Sequence, residues 1–294
     1  MSSKQVILIT GSSTGFGRLF AEAFARKGYT VFATMREIRG KNAKNVAELH
    51  ELAKTESLDL HTLEMDVTSE PSVEEAVQTV VSKAGRIDVA INNAGYAILG
   101  LAEAIPVDQA QRIMDTNFMG TVRVNRAVLP HMRRQRSGLL LHISSGLGRF
   151  VLPSMAFYCA SKFALEALAE TYHYELAGQG IDSVIMEPGA YKTSVFDNMQ
   201  MVEDPDRSST YGPMGEVPAK IGAALNATTA NPKFVTEAAL QIVETPAGQR
   251  KLRYRVSSGD LGIDAINAAS AEAQARYLGA YGLLPGNLAA SKQP

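Results

Sequence analysis

Short apolar segments alternate with amphipathic segments along most of the chain. Val6–Thr10 is short, apolar and β-branched, which is typical of a strand buried on both faces, and Arg18–Ala25 has the spacing of an amphipathic helix. Further strands are predicted at Thr30–Thr34, Leu60–Met65, Ile87–Ile91, Gly138–Ile143, Ser183–Met186 and Arg253–Val256. The pattern predicts an α/β fold, a Rossmann-type doubly wound parallel sheet of about seven strands with helices on both faces. We expect one domain over residues 1–294.

A glycine-rich loop joins the first strand to the first helix. Its glycines have the spacing G-x-x-x-G-x-G, which differs from the commoner G-x-G-x-x-G. Glycine allows a tight turn and the close approach of a pyrophosphate, whose charge the helix N-terminus favours. An ordinary glycine-rich turn is the alternative, but the complete strand–loop–helix context disfavours it. The candidate cofactor-binding residues of this loop are Gly11, Ser13, Thr14, Gly15, Phe16 and Gly17.

The residue after the second strand bears on the choice of cofactor. An NAD-specific site carries a carboxylate there to bind the adenosine ribose. This chain has Met35 and then Arg36, with Arg39 and Lys41 close behind. Arginine binds a 2′-phosphate with two N–H donors, whereas a carboxylate repels it. We therefore predict NADP(H) in preference to NAD(H), with Arg36 in the site; a plain surface charge is the alternative.

Tyr158 and Lys162 are four residues apart, and Ser145 lies upstream of both. A long helix is predicted from Tyr158 to about Ala177, and positions i and i+4 share one helix face. A unit charge about 4 Å from the tyrosine hydroxyl is worth roughly 4 kcal/mol at an effective dielectric of about 20, or about three pKa units. We therefore expect Lys162 to bring the pKa of Tyr158 towards neutrality, where a phenol can exchange a proton with an alcohol or ketone. Packing beside a solvated lysine is the alternative for this pair alone.

Taken in order, these and other motifs resemble the compact single-domain branch of the short-chain dehydrogenase/reductase family. The resemblance covers roughly residues 4 to 195. Its pieces are Thr10-Gly11-x-x-x-Gly15-x-Gly17, Asp66-Val67, Asn92-Asn93-Ala94-Gly95, Asn117, Ser145, Tyr158-x-x-x-Lys162 and Pro188-Gly189 followed by Thr193. The Met35-Arg36 pattern and the long C-terminus resemble the hydroxysteroid and retinol dehydrogenase subgroup.

The resemblance implies further cofactor contacts. It implies that Asp66 bonds the adenine amino group and that Val67 packs beside the ring, although helix capping is an alternative for this stretch. It implies that Asn92 to Gly95 partly tie the sheet and partly line the ribose, with a structural role expected for Asn92. The cofactor-binding residues implied in this way are Asp66, Val67, Asn93, Ala94, Gly95, Tyr158, Lys162, Pro188, Gly189 and Thr193. The last three are expected at the nicotinamide carboxamide.

The resemblance also implies four catalytic residues. Ser145 would donate a hydrogen bond to the substrate oxygen, and Tyr158 would exchange the proton. Lys162 would lower the pKa of Tyr158 and hold the nicotinamide ribose, and Asn117 would hold a water of the proton relay. Ser144 is adjacent to Ser145, but a strand points successive side chains to opposite faces, and the spacing to Tyr158 selects Ser145. No metal is expected, because the nicotinamide supplies the chemistry.

Two segments lie outside the common core. Residues 190–232 correspond to the substrate lid of the family, and apolar residues there and at Phe150, Val151, Leu152 and Met155 predict an apolar pocket. Core packing of about half of these residues is the alternative. The tail, residues 259–294, is predicted as helical to about Tyr277. A subunit interface, a cover over the site and partial disorder are three open roles for it.

The composition narrows the class of protein. Lys and Arg number 29 against 30 Asp and Glu, so gross charge does not favour nucleic acid or an anionic membrane. The single cysteine, Cys159, excludes an intrachain disulfide and agrees with a reducing compartment. We find no signal peptide and no membrane-spanning run, and we expect a cytoplasmic protein. Family habit predicts a homodimer or homotetramer.

The sequence therefore predicts an NADP(H)-dependent oxidoreductase that interconverts an alcohol and a ketone or aldehyde, of an apolar small molecule. One alternative is a non-catalytic NADP(H)-binding regulator or scaffold, although such relatives usually lack the tyrosine or the lysine. A sugar-nucleotide epimerase or dehydratase is a further alternative. The glycine spacing and the absence of a larger second lobe in the sequence disfavour it.

Overall fold

The computed structural model describes residues 4–191, 199–257, 259 and 261–284. Its strands are β1 (Val6–Ile9), β2 (Thr30–Met35), β3 (Leu60–Glu64), β4 (Val89–Asn92), β5 (Ile98–Leu99), β6 (Gly138–Ile143), β7 (Ile181–Pro188), β8 (Gln200–Met201) and β9 (Arg253–Val256). Seven of them run parallel in the main sheet, in the order β3-β2-β1-β4-β6-β7-β9. The predicted fold class is confirmed, because helices cover both faces of this sheet.

The helices fill the intervals between the strands. They are α1 (Gly15–Arg26), α2 (Ala43–Thr55), α3 (Glu70–Ala84), α4 (Val107–Met114), α5 (Gly120–Gln135), α6 (Ala156–Leu176), α7 (Val217–Asn226), α8 (Lys233–Glu244) and α9 (Ile263–Ala280). None of the helices in the described part of the chain is both long and apolar enough to cross a membrane.

Alternate residues of each central strand enter two separate cores. Ile7 of β1 packs with Phe20 and Phe24 of α1, whereas Leu8 packs on the opposite face with Val77 of α3 and Val128 of α5. The centre of the sheet is thus buried on both faces, which explains why a central strand such as β1 is a continuous apolar run.

The predicted strand boundaries hold within one or two residues. Those of β6 and β9 agree with the prediction, while β7 extends past it at both ends. The fourth strand begins at Val89 and not at Ile87. The reason is that Ile87 N–H donates to Gln135 Oε1, 3.0 Å away, which replaces a strand partner. The helix predicted from Tyr158 starts two residues earlier, at Ala156.

Two features of this architecture position the site. The strand order reverses between β1 and β4, and in open α/β sheets ligands bind at such a switch point, outside the carboxyl ends of the strands. In addition, a π-helical turn, Asp115–Met119, separates α4 from α5. Such turns are rare in proteins, and those that occur often lie at functional sites. Asn117 is buried inside this turn.

A small second sheet joins the segment predicted as a lid to the chain after β4. β8 pairs in parallel with β5, with Ile98 opposite Gln200 and Leu99 opposite Met201. A Cβ on Gly100 would come within 2.5 Å of Val202 Cβ, so this segment packs closely against the chain that leaves β5.

Candidate active site

The glycine loop is packed against the end of β4. Gly11 has φ +68°, and a Cβ on it would lie 2.8 Å from Ala94 Cα. A Cβ on Gly17 would lie 2.3 Å from Gly11 O, and Gly15 also has a positive φ. These three positions therefore require glycine, as the predicted close turn demands.

The residues after β4 brace this loop through hydrogen bonds. Asn93 Nδ2 donates to Thr10 O at 2.9 Å and to Gly11 O at 3.0 Å. The backbone N–H groups of Asn93 and Ala94 both donate to Thr10 Oγ1 at 3.0 Å. The polar groups predicted to line a ribose thus hold the loop in shape.

Helix α1 begins within this loop, at Gly15. Thr14 is its N-cap residue, and no acidic side chain occupies the first turn. The ring of Phe16 stacks on Phe20 and meets Tyr191 edge-on, which anchors the start of the helix. A glycine cradle without Cβ atoms, leading to a helix N-terminus with its partial positive charge, fits a dinucleotide pyrophosphate.

Arg36 follows β2 at the same edge of the sheet. Ser12 N–H donates to Thr34 O at 2.8 Å, so the glycine loop and the end of β2 are adjacent. Met35 is buried and Arg36 is exposed. The backbone carbonyl of Arg36 accepts a hydrogen bond from Asn42 Nδ2 at 2.7 Å. These hydrogen bonds hold the backbone of Arg36 in a turn next to the glycine loop.

Asp66 and Val67 hold the turn before α3. Asp66 Oδ1 accepts from Thr68 N at 2.9 Å and from Thr68 Oγ1 at 2.7 Å. Ser69 is the N-cap of α3. Val67 is buried against Gly120 of α5. The capping alternative for this stretch is therefore realised, and the adenine contact stays a prediction.

The side chains of Ser145, Tyr158 and Lys162 meet above β6. Ser145 and Tyr158 are hydrogen-bonded to one another through their hydroxyl groups. Lys162 Nζ lies 5.7 Å from the centroid of the Tyr158 ring and donates to Ile143 O at 2.8 Å. Leu147 N–H donates to Ser145 Oγ at 3.1 Å, so the serine is fixed at the start of a short helical turn.

The protonation of this pair differs from our expectation. Burial raises the pKa of Tyr158 to about 12, and the hydrogen bond from Ser145 only partly opposes it. Burial likewise lowers the pKa of Lys162 to about 8, which Glu166 opposes. The prediction that Lys162 brings the pKa of Tyr158 towards neutrality is therefore wrong. The loss of solvent outweighs the lysine charge, which lies beside the ring and is bonded to a backbone carbonyl.

Asn117 joins the same site from the π-helical turn. Its Oδ1 accepts from Tyr96 N at 3.0 Å, and its Nδ2 donates to Tyr96 O at 2.9 Å and to Ser161 Oγ at 3.0 Å. A Cβ on Gly95 would lie 3.0 Å from Asn117 Oδ1 and 3.8 Å from Lys162 Nζ. The four residues predicted as catalytic are therefore brought together, although they are spread over 46 positions of the chain.

Two of the sequence-based alternatives are decided by hydrogen bonds. Asn92 Nδ2 donates to Asn125 Oδ1 at 2.8 Å, inside the core, which agrees with a structural role. Ser144 Oγ donates to Glu166 Oε1 at 2.8 Å, away from Tyr158. Adjacent serines thus face opposite sides of the strand end, as expected. Cys159 is buried.

Two of the three residues predicted at the nicotinamide carboxamide, Pro188 and Gly189, lie within the described residues. Gly189 N–H donates to Val256 O at 2.8 Å, so the residues after β7 are held by β9. Pro188 is the last residue of β7 and is buried. Thr193 lies outside the described residues.

Apolar side chains surround the Tyr158 ring on two sides. Leu152 and Met155 lie in one core cluster, which agrees with the core-packing alternative for these two residues. The same cluster also contains Ala97, Leu99, Leu147, Met199 and Ile221. A second cluster, on the other side of the ring, contains Ile98, Ile105, Ile113, Phe157 and Val202. Phe150 is half-buried and Val151 is 74% exposed, and a pocket role for these two residues stays a prediction. They lie in the loop before α6.

A buried ionic cluster behind the site was missed from the sequence. It contains Arg149, Glu166, Glu170, Glu187 and Arg253. The position of Glu166, four residues after Lys162, was the one available signal.

Comparison with known proteins decides the family. Residues 5–204 match the family model described as short chain dehydrogenase. The chain belongs to the short-chain dehydrogenase/reductase family. It is therefore an oxidoreductase with a nucleotide-binding fold, of a family that acts on CH–OH groups.

Individual relatives match this short-chain dehydrogenase over most of their length. It is 34% identical over 249 residues to the 3-ketodihydrosphingosine reductase of Bacteroides thetaiotaomicron, covering 79% of this chain and 87% of that protein. It is 33% identical over 262 residues to human 17-beta-hydroxysteroid dehydrogenase type 1, covering 86% and 77%. A short-chain dehydrogenase structure from Streptomyces avermitilis superimposes with a TM-score of 0.75 at 27% identity, covering 96% and 98%.

Proposed function

We propose that this short-chain dehydrogenase interconverts an apolar ketone or aldehyde and its alcohol with NADP(H), and that Tyr158 is the general acid and base. The observation that carries the proposal is the meeting of Ser145, Tyr158, Lys162 and Asn117 beside the glycine cradle. The apolar walls around Tyr158 support the substrate class. The names of two relatives, a 3-ketodihydrosphingosine reductase and a hydroxysteroid dehydrogenase, agree with it.

The cofactor would be held by groups along the carboxyl edge of the sheet. The cradle at Gly11, Gly15 and Gly17, with the N-terminus of α1, would hold the pyrophosphate. Arg36 would bind the 2′-phosphate, and its charge is what favours NADP(H). The remaining contacts would come from Asp66, Val67, Asn93, Ala94, Gly95, Lys162, Pro188, Gly189 and Thr193. When bound, NADPH supplies the hydride that reaches the carbonyl carbon.

The side chains would then manage the oxygen and the proton. Ser145 donates a hydrogen bond to the carbonyl oxygen, and Tyr158 transfers its phenolic proton to that oxygen as it becomes a hydroxyl. Lys162 stabilises the phenolate that Tyr158 leaves. Asn117 holds the water through which Tyr158 regains a proton. Oxidation of the alcohol reverses each transfer.

The protonated state of Tyr158 suits the reductive direction. A phenol with a pKa of about 12 is fully protonated at neutral pH and so holds the proton that reduction needs, although the raised pKa makes it a weaker acid than a free phenol. The ammonium of Lys162, which lies beside the ring, would then stabilise the phenolate as it forms. From the family resemblance we also propose a cytoplasmic location and a homodimer or homotetramer.

The test is oxidation of NADPH and NADH against ketones and aldehydes of increasing apolar size. We expect turnover with NADPH, best with large apolar carbonyls. Tyr158→Phe should lower kcat by about 10²- to 10⁴-fold while NADPH still binds. The control is Tyr172→Phe, in the same helix but packed in the core beneath α5, which should leave kcat unchanged. Tight NADPH binding by a wild-type protein that reduces none of the carbonyls would instead favour the regulator.

A further inference from the structure

A buried ionic cluster lies directly behind Lys162. Glu166 comes from α6, Arg253 from β9 and Glu187 from β7, with side chains 2%, 8% and 0% exposed. Arg149, after β6, and Glu170, one turn further along α6, complete it. Ionised groups this deep are costly to bury, so they need close partners.

Glu166 is the centre of this cluster. Its Oε1 accepts from Ser144 Oγ at 2.8 Å, and its Oε2 accepts from Arg253 Nε at 3.2 Å. Arg149 Nη1 lies 3.7 Å from the same oxygen. A Cβ on Gly148 would lie 2.5 Å from Glu166 Oε1, so the loop after Ser145 leaves room for this carboxylate and no more.

Lys162 and Glu166 bond to adjacent residues of the same strand end, since Lys162 Nζ donates to Ile143 O at 2.8 Å and Glu166 Oε1 accepts from Ser144 Oγ at 2.8 Å. The cluster has three carboxylates, Glu166, Glu170 and Glu187, against two guanidinium groups. Lys162 lies one helical turn before Glu166 on the same face of α6. Glu166 is the acidic group whose charge acts on it.

We propose that Glu166 is a positioning residue: a buried counter-ion that keeps Lys162 protonated beside Tyr158 and, through Ser144, holds the strand end that carries Ser145. The role of Glu166 in turnover rests on the proposed function. Its effect on the charge of Lys162 is independent of that function, because this charge can be measured without a substrate.

The direction of the effect follows from the surroundings. Burial lowers the pKa of Lys162 to about 8, and Glu166 opposes this; without that carboxylate the ammonium would lose its proton at a lower pH. Burial raises the pKa of Glu166 itself, which Ser144, Arg253 and Arg149 oppose. Burial, and then Glu166, raise the pKa of Glu187 to about 7. Glu187 also accepts from Asn267 of α9, at 2.8 Å.

The experiment is an NMR titration of the full-length protein labelled with ¹³C at the lysine Cε, with Lys162 assigned from Lys162→Arg. Glu166→Gln should lower the titration midpoint of Lys162 by about one to two pH units. Glu170→Gln is the matched control, since Glu170 binds the same arginine, Arg253, at 2.7 Å. It should leave the midpoint within about 0.3 units.

Ser144→Ala is the second variant, in case Glu166→Gln does not fold. It removes a hydrogen bond that favours the charged form of Glu166, so the midpoint should fall by a smaller amount in the same direction. An unchanged midpoint in the folded variants would overturn the inference, and so would equal shifts in Glu166→Gln and Glu170→Gln.

A pH profile of carbonyl reduction separates the two proposals. The alkaline limb of kcat, where Lys162 loses its proton, should move to lower pH in Glu166→Gln and stay in place in Glu170→Gln. A shifted Lys162 midpoint in a protein that reduces no carbonyl would overturn the proposed function and keep the role of Glu166. Carbonyl reduction by a protein whose Lys162 midpoint does not move in Glu166→Gln would support the proposed function and overturn the role of Glu166.

Discussion

Gln109 holds the backbone of Met201 from a fully buried position on α4. Gln109 Nε2 donates to Met201 O at 2.9 Å, and Glu203 N–H donates to Gln109 Oε1 at 3.2 Å. One side-chain amide thus satisfies a carbonyl and an N–H group of the same extended segment, as a neighbouring strand would. Met199 and Val202 of that segment pack in the apolar clusters around Tyr158. Gln109 therefore sets the position of one wall of the proposed pocket.

Gln109→Leu should loosen this wall. We expect the KM of the carbonyl substrate to rise about ten-fold with a smaller change in kcat. The free energy of unfolding should fall by about 1–3 kcal/mol, because two part-buried hydrogen bonds to the backbone are lost. Steady-state kinetics and urea unfolding measure both effects. Gln111→Leu, on the exposed side of the same helix, is the control. A lower stability with an unchanged KM would show that Gln109 acts in folding alone.

Arg36→Leu should weaken the preference for NADPH. A charged hydrogen bond is worth about 1.5–3 kcal/mol, so the ratio of kcat/KM for NADPH to that for NADH should fall by about 10- to 100-fold. Arg39→Leu removes a second exposed arginine of the same turn and should leave the ratio within about two-fold. Equal losses in both variants would mean that only the general positive charge of the turn matters.

Gly17→Ala should damage the cradle. The new Cβ would lie 2.3 Å from Gly11 O and 2.5 Å from Asn93 Nδ2, so the loop and its brace must separate. We expect the free energy of unfolding to fall by about 1–3 kcal/mol and the affinity for NADPH, measured by calorimetry, to fall at least about ten-fold. Gly178→Ala is the control, because a Cβ there meets no atom within 4 Å. Wild-type affinity in Gly17→Ala would mean that the cofactor does not use this loop.

Much of the fold could be predicted because its signals are local. The strand at Gly138–Ile143 is a short, mostly apolar run, and its predicted bounds and those of the strand at Arg253–Val256 match the structure. Ile87 was misassigned, because its N–H is bonded by Gln135, 48 residues away. Hydrophobicity alone does not show which way the loop residues Phe150 and Val151 point.

The sequence by itself determined the family, the strand–helix alternation and the residues that meet at the site, because motif spacing and hydrophobic period are properties of the chain. Only the tertiary structure decided the electrostatics. The pKa of Tyr158 depends on how deeply its hydroxyl is buried, and Glu166 meets Arg253 across 87 positions of sequence. Such effects arise from groups that folding brings together, and no local pattern encodes the distance between them.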